Sequence, residues 1–410
     1  LSDGGCFRNG EQGTRARRRV AFSCLDLSVV SLVVAAVVSG VMAADWGAAL
    51  LELRSVFLLP ALYYALLRLA HLDEGARWRV VDGWALGGLG VALVGLVQYA
   101  LGRNVVVAEG GLPRLQSVYF SPNNVGLYLG RLWPLLVAVA LWGWPRRRRA
   151  LYALALAPVT LALVLSFSRG ALLLGLPAAL LVMGWRAGGR ARWAVVTLVV
   201  IGALALIPLL RLPRFSAMFD LEQGSTFFRL ELWRSSLTLI REHPWFGVGP
   251  GNFPAAYRTR YILPGAWQEP NLEHPHNVYL DHWTRLGVLG LLAGVVVQVM
   301  FWRALWSARS GSRSQSSRFA PPGIARDEPT PRRRSIAGWC ACAPALSVLP
   351  LGLAGSMAAL LAHGLVDNTV FFPDLALVYF LTLALVHRNT PGDGVPSATS
   401  PLSLPGRGTG

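Results

Sequence analysis

Two histidines lie where a polar segment of the sequence gives way to a long apolar one. His274 and His276 are separated by Pro275, and Asn277 follows directly. Ionisable groups at the mouth of a membrane helix are costly, so each is a functional candidate. Proline is favoured in the first turn of a helix, which predicts that His276 lies in that turn. The unpaired N–H groups and positive helix dipole there disfavour imidazolium, and a neutral imidazole is suited to act as a general base.

The polar residues further along the same helix argue against a metal site. His276 is five residues from Asp281 and six from His282. At 3.6 residues per turn neither pair shares a helix face, and the sequence contains no D-x-D or H-E-x-x-H motif. We therefore predict a site without metal or cofactor, the alternative for His276 being a simple hydrogen bond to a loop carbonyl. Asp281 and Arg285 are four apart and share a face, which indicates a structural pair.

Other ionisable side chains are secondary candidates for the same site. Arg131 lies about midway along a predicted helix with no acid nearby in sequence, so it needs a partner on another helix or a polar cavity. His363 and Asp367 are four residues apart at a predicted outer turn. They are expected to form a second polar cluster on the same side of the protein as His276, or an interfacial hydrogen bond only.

Arginines outside the predicted membrane spans are candidates for binding an anion. Arg169 lies in a short turn between two helices, which is a rigid place for a charge, and an arginine fork binds phosphate bidentately. Residues 226–242 have the pattern of an amphipathic surface helix, and it contains Arg229 and Arg234. The alternative is a solvated, partly ion-paired surface, since exposed pairs are common and weak.

The composition decides what kind of protein positions these residues. The chain has 410 residues, 54% hydrophobic and 14% charged, with a mean hydropathy of +0.47. A soluble domain carries about 25% charged residues, so we predict a polytopic membrane protein. The net charge of +17 comes from arginine, because the sequence contains no lysine. Lysine-dependent chemistry is excluded, and membrane topology explains the basic excess better than nucleic acid does.

The spacing of apolar segments predicts an all-α polytopic membrane protein with about ten transmembrane helices. Arginine clusters at alternate ends of these segments fall on one side, which places both termini in the cytoplasm. The predicted spans are 25–44, 48–70, 81–102, 122–144, 150–167, 170–186, 193–210, 276–302, 339–362 and 371–387.

The same reading divides the chain into membrane and non-membrane segments. Residues 25–210 carry helices 1–7, 276–302 carry helix 8, and 339–388 carry helices 9–10. The remaining segments are a cytoplasmic N-terminal segment 1–24, a periplasmic loop 211–275 that contains the amphipathic helix, a disordered cytoplasmic loop 303–338 and a disordered tail 389–410.

Four segments resemble the O-antigen ligase and polymerase superfamily of bacterial membrane proteins. In the last of them His276-Asn277 is followed by nine residues, Gly287, two residues and Gly290, which is the spacing of the ligase motif. The first three segments, in order, are Ser121-Pro122-Asn123-Asn124-Val125-Gly126, then Phe167-Ser168-Arg169-Gly170, then Arg229 with Trp233 through His243-Pro244-Trp245-Phe246-Gly247-Val248-Gly249-Pro250-Gly251-Asn252. The third and fourth segments together are specific to the superfamily, whereas the first is not.

The resemblance implies a metal-independent, inverting glycosyltransferase of the bacterial inner membrane with its active site facing the periplasm. His276 corresponds to the residue that activates the acceptor hydroxyl, and Arg169 and Arg229 to those that hold the donor diphosphate. The donor is expected to be a glycan on undecaprenyl diphosphate, and the acceptor a glycan or lipid A-core. Such proteins usually have about twelve helices, so either upstream helices are missing from this sequence or predicted spans are merged.

The resemblance leaves the activity open in several ways. Ligases, polymerases and protein-glycosylating relatives share these motifs, so the acceptor and sugar are not determined. One alternative is a small-anion transporter of the bicarbonate type, whose pathway would use Arg131 and Asp281. Another is a non-catalytic partner in envelope assembly, for which replacing His276 would have no effect.

Overall fold

The structure, a computed structural model, describes residues 22–107, 111–209, 224–316 and 347–387. A β-hairpin pairs β1 (Val105–Val107) antiparallel with β2 (Pro113–Leu115), so that Val105 lies opposite Leu115. The helices, in chain order, are α1 (Cys24–Val41), α2 (Trp46–Leu69), α3 (Glu74–Ala100), α4 (Pro122–Trp142), α5 (Arg146–Leu165), α6 (Gly170–Ala187), α7 (Gly189–Leu209), α8 (Gly224–Glu242), α9 (Phe253–Ala256), α10 (Val278–Ser316), α11 (Val348–His363) and α12 (Pro373–Leu385).

Several of these helices contain or adjoin a different helical turn. The wide π turn, which often marks functional sites, occurs within α2, at the start of α6 and directly after α9. These turns span Leu53–Leu58, Gly170–Gly175 and Tyr257–Tyr261, and a 3₁₀ turn follows at Pro264–Ala266. The turn that opens α6 carries the backbone directly after Arg169.

The prediction of an all-α polytopic membrane protein is confirmed. In the described part of the chain, seven helices are long and apolar enough to cross a membrane: α1 to α6, and α10 over Val278–Ser307. The other three predicted spans correspond to α7 and to two shorter apolar helices, α11 and α12. The side of the membrane to which each end belongs stays a prediction, which rests on the arginine pattern.

Some predicted boundaries are wrong. α10 begins at Val278 rather than at residue 276 and continues to Ser316, so residues 303–316 are helical rather than part of a disordered loop. α3 begins at Glu74, where Asp73 caps it, rather than at residue 81. Charged residues that end an apolar segment in sequence therefore do not end the helix. The predictions made for 1–21, 210–223, 317–346 and 388–410 lie outside the described residues.

α4 is the central helix of the bundle. Inside the protein 72% of its span is buried, against 22–39% for the other candidate spans. Its start is fixed by Ser121, whose side chain accepts from the N–H of Asn123, and by Pro122 in the first turn. The exposed apolar side chains of the outer helices fit a surface covered by lipid. The site lies where the ends of α4, α6 and α11 meet the loop before α10.

α10 changes direction at Gly287, which has φ 68° and ψ −170°. A Cβ there would lie 2.0 Å from the carbonyl oxygen of Trp245, so only glycine fits. The kink frees the carbonyls of Thr284 and Arg285, which accept from Val248 and Gly249 at 2.9 and 3.0 Å. These two hydrogen bonds tie the glycine-rich turn after α8 to the helix.

Candidate functional site

His276 lies in the loop before α10, not in its first turn as predicted. Asn277 occupies the capping position, since its Oδ1 accepts from the N–H groups of Tyr279 and Leu280 at 3.0 and 3.1 Å. His276 has a left-handed backbone with φ 51°, an uncommon conformation for a non-glycine residue. The cap, rather than the histidine, therefore satisfies the helix N-terminus.

The backbone around His276 is held by three hydrogen bonds to two other elements. Trp233 of α8 donates its indole N–H to the carbonyl of Pro275 at 2.8 Å. The Asn277 side chain donates to Leu365 O at 3.0 Å, and the N–H of Val278 donates to Gly364 O at 2.7 Å. These bonds connect the loop to α8 and to the turn between α11 and α12. The ring of His276 is therefore placed by tertiary contacts.

Asp367 is the partner of His276. Nδ1 of His276 lies 2.9 Å from Oδ1 of Asp367, which also accepts from the N–H of Asn368 at 2.9 Å. Burial raises the pKa of the Asp367 carboxyl, but the hydrogen bond from His276 and the nearby imidazoles outweigh it and hold that pKa well below its usual range. The ionised carboxylate accepts the proton on Nδ1, which leaves the lone pair on Nε2 available.

His274 packs against this pair and is only 8% exposed. Its ring centroid lies 4.2 Å from that of His276, edge to face, and its Nδ1 accepts from the backbone N–H of His276 at 3.3 Å. Burial and the neighbouring His276 lower the pKa of the His274 imidazole well below its usual value. The ring is neutral, and its hydrogen bond helps to fix the backbone of His276.

His363 completes one polar cluster with these residues rather than the predicted second cluster. Its Nε2 lies 3.9 Å from Oδ2 of Asp367. A Cβ on Gly170 would lie 2.3–2.5 Å from the His363 ring, so glycine is required for α6 to approach α11 so closely. The sequence placed His363 and Asp367 four residues apart at one turn, but it did not show that Asp367 reaches His276.

A cavity of about 100 Å³ opens beside Asp367. Both predicted arginines, Arg169 and Arg229, lie on its wall together with His363. Arg169 donates through Nη2 to the hydroxyl of Ser225 at the start of α8. The rest of the wall is formed by Arg114, Asn123, Phe167, Ser168, Gly170, Ser225 and Val366. Three arginines therefore line a cavity that Asp367, the hydrogen-bond partner of His276, also lines.

Ser168 is a buried serine on the wall of this cavity. The residue is 1% exposed. Its hydroxyl has no hydrogen-bond partner among the described residues, although buried hydroxyls are normally paired. A Cβ on Gly126 would lie 2.5 Å from this hydroxyl, so the start of α4 packs tightly against it.

Arg114 is a site residue that the sequence reasoning missed. It belongs to β2 and donates through Nε to Ser166 O at 2.9 Å and through Nη2 to Asn123 Oδ1 at 2.8 Å. Nη2 also reaches Phe167 O at 3.5 Å. Arg114 thus joins the β-hairpin to the start of α4 and to the turn that carries Arg169. One signal for Arg114 was available in the sequence. Arg114 lies in a predicted outer loop, where the positive-inside rule does not require an arginine.

Two of the secondary candidates lie away from this cavity. Arg234 pairs with Glu231 on the outer face of α8, and its side chain is 72% exposed. Arg131 is buried in α4 and donates through Nη1 to Leu375 O at 2.8 Å. It lines a separate small cavity that shares His363 with the first one. The predicted need of Arg131 for a partner on another helix or a polar cavity is confirmed.

The charged pair further along α10 is structural, as predicted. Arg285 contacts Asp281 at 2.8 Å and Glu52 of α2 at 2.7 Å. Its Nη2 also donates to Glu273 O at 2.9 Å. Since oxygens of three residues on three segments bind this guanidinium, it fastens α10 to α2 and to the loop that leads to His276. Such saturation fits an anchor better than a transport pathway.

The fold and site together define a polytopic helical membrane protein with an imidazole–carboxylate pair beside an arginine-lined cavity. Residues 152–295 match the family model described as O-antigen ligase. This match supports the resemblance to the O-antigen ligase and polymerase superfamily. It also supports a glycosyltransferase-like activity of that broad type and, with the apolar helices, a multi-pass bacterial membrane protein. No curated protein matches the chain.

The matched segment includes part of the candidate site. Arg169, Arg229, His274 and His276 lie within residues 152–295. The other contributors fall outside it: Arg114, Asn123, His363 and Asp367. The structure therefore joins residues from three separate parts of the chain around one cavity.

Proposed function

We propose that this protein is a membrane glycosyltransferase that transfers or polymerises a glycan carried on undecaprenyl diphosphate, at the periplasmic face. The observation that carries the proposal is the contact between His276 and Asp367 beside the cavity lined by Arg169 and Arg229. An oriented imidazole with a free Nε2 can take a proton. Neighbouring guanidinium groups can stabilise a diphosphate as it leaves.

His276 is the general base in the proposed reaction. Nε2 takes the proton from an acceptor hydroxyl while the hydroxyl oxygen attacks the anomeric carbon of the donor sugar. The bond from that carbon to the diphosphate oxygen breaks, and its electron pair leaves with the diphosphate. Asp367 stabilises the imidazolium that forms, because its carboxylate is already bonded to Nδ1. Attack opposite the leaving group inverts the anomeric centre.

Arg169 and Arg229 are proposed to hold the donor diphosphate. They lie on α6 and α8, and both line the cavity next to Asp367. The charge that develops on the leaving group is then met by fixed cations in a largely buried site, where electrostatic interactions are strong. The glycan or lipid A-core acceptor approaches from the side of His276. Ligases, polymerases and protein-glycosylating enzymes would share this arrangement.

The test is transfer from a lipid-linked donor by the purified chain in proteoliposomes. His276→Ala should reduce transfer by at least about 10²-fold, because it removes the base. His243→Ala is the matched control, since His243 is an exposed histidine of the same region and lies outside the cavity. Normal transfer by the His276 variant, with correct membrane insertion, would contradict the proposal. If the His276→Ala variant lost anion uptake but kept glycan transfer, the result would instead support a transporter.

A further inference from the structure

Three potential metal ligands meet at the proposed active site. One donor atom from each of His274, His276 and Asp367 lies within 4.8 Å of the other two. Asp367 is 91 residues from His276 along the chain, so helical spacing gives no sign of this cluster. The ligands around a tetrahedral zinc ion, at about 2.0–2.1 Å from the metal, are roughly 3.4 Å apart. Small rotations of the two imidazoles would bring the three donor atoms from within 4.8 Å to this tetrahedral spacing.

The donor set favours one class of ion. Two imidazoles and a carboxylate suit Zn²⁺ and neighbouring first-row ions, whereas Mg²⁺ prefers oxygen ligands in an octahedral arrangement. His274 already has a lone pair on Nδ1, since this atom accepts the backbone N–H of His276 in a weak contact of 3.3 Å. Asp367 is a carboxylate with only 3% exposure. Three protein ligands leave a fourth position open to water.

We propose that His274, His276 and Asp367 bind Zn²⁺ and that its binding switches off the transfer reaction. The inference rests on the proposed role of His276 as the base. Zn²⁺ takes the place of the proton on Nδ1, because this atom faces Asp367. That proton moves to Nε2, so the neutral ring keeps one proton and no electron is transferred. Nε2 then becomes a donor and can no longer accept the proton of an acceptor hydroxyl.

The surroundings set the strength of this site. Arg169 and Arg229 line the adjoining cavity and repel a cation. A site with three ligands and nearby positive charge binds more weakly than a closed four-ligand structural site. Binding is therefore reversible, and a chelator restores the reaction. A diphosphate donor in the cavity would reduce the repulsion, so zinc binding and donor binding are expected to assist each other.

The experiment uses the full-length chain in nanodiscs after removal of metal with a chelator. Co²⁺ should give the visible absorption of a four-coordinate ion with one equivalent bound, and Zn²⁺ should displace it. In the transfer assay Zn²⁺ should inhibit and EDTA should restore the rate, while Mg²⁺ at equal concentration has no effect. His274→Gln should raise the half-inhibiting Zn²⁺ concentration at least tenfold over that of the unsubstituted protein. Each protein's inhibition is measured against its own zinc-free rate. His243→Gln should behave as the unsubstituted protein does.

The outcomes separate this inference from the proposed function. If no stoichiometric Co²⁺ or Zn²⁺ binds while His276→Ala abolishes transfer, the metal site is wrong and the base remains supported. If zinc binds but His276→Ala transfers normally, the proposed function fails and the site stands. If EDTA abolishes transfer and Zn²⁺ restores it, the ion is a cofactor and the inhibitory role is overturned. Equal zinc sensitivity in the His274→Gln variant would also overturn the site.

Discussion

Replacing Asp367 by asparagine tests whether its charge, and not only its shape, supports His276. In the native protein Oδ1 of Asp367 accepts from two donors, Nδ1 of His276 and the N–H of Asn368. An asparagine keeps an oxygen at that position, because the N–H of Asn368 favours it over the amide NH₂. The orientation and tautomer of His276 are then retained, and only the negative charge is lost.

The magnitude follows from that geometry. A hydrogen bond to a charged group contributes about 1.5–3 kcal/mol. If about 2–3 kcal/mol of stabilisation of the forming imidazolium is lost, the turnover number falls about 30- to 160-fold, at 1.36 kcal/mol for each factor of ten. A loss near 10⁴-fold would instead indicate that the amide has turned and reversed the tautomer. The apparent KM for the donor should stay constant or fall, because a negative charge beside the arginines has been removed.

The assay is initial-rate transfer from a lipid-linked donor in proteoliposomes, with turnover number and KM measured separately. Glu269→Gln is the matched control, since Glu269 is an exposed carboxylate in the segment between α8 and α10. It should match the unsubstituted rate. A turnover number for Asp367→Asn within threefold of the unsubstituted protein would refute the reasoning, because the carboxylate would then contribute nothing beyond position.

Three further predictions concern the supports of the site. Arg114→Lys keeps the charge, but a lysine cannot donate to Ser166 O and Asn123 Oδ1 together. The kcat/KM for the donor should therefore fall about 10- to 150-fold. Arg103→Lys is the control and should have no effect. Gly287→Ala should lower the free energy of unfolding by more than about 3 kcal/mol and lower the thermal midpoint in detergent. Gly83→Ala is the control and should leave the midpoint unchanged, because a Cβ there meets nothing within 4 Å. Because burial lowers the folded-state pKa of His274, the unfolded chain takes up a proton that the folded one does not. The contribution of His274 to the free energy of unfolding should therefore be full above about pH 6.5 and fall by about 1.4 kcal/mol per unit below it. The slope of stability against pH should be smaller in His274→Gln, and equal slopes in thermal scans at pH 5 to 7 would contradict this.

Local features of the fold were predictable from the sequence. The apolar segments identified the membrane helices, since a spanning helix needs a long apolar run whatever its neighbours are. The amphipathic pattern over 226–242 matches α8, Gly224–Glu242. The pair of Asp281 and Arg285 was predicted because residues four apart on one helix are neighbours. Errors came at helix ends, where charged residues of α3 and α10 continue the helix beyond the apolar segment.

The site was predictable only in part. The types and places of His276, Arg169 and Arg229 were evident from the chain. The chain did not show whether these residues meet, because contacts between distant segments depend on how the helices pack. The hydrogen bond between His276 and Asp367 spans 91 residues, and the one between Arg114 and Ser166 spans 52. No periodicity in the sequence encodes either.

The sequence by itself therefore determined a helical membrane protein, with His276 at the start of one membrane helix and arginines outside the apolar spans. Those properties follow from hydropathy and from charge, which act residue by residue. The tertiary structure decided that Asp367 orients His276, that Arg114 supports the turn of Arg169, and that Arg234 faces away. The reason is that each of these relations depends on how segments far apart in the sequence pack together, and the hydrogen bonds of Asp367 and Arg114 form only in the folded protein.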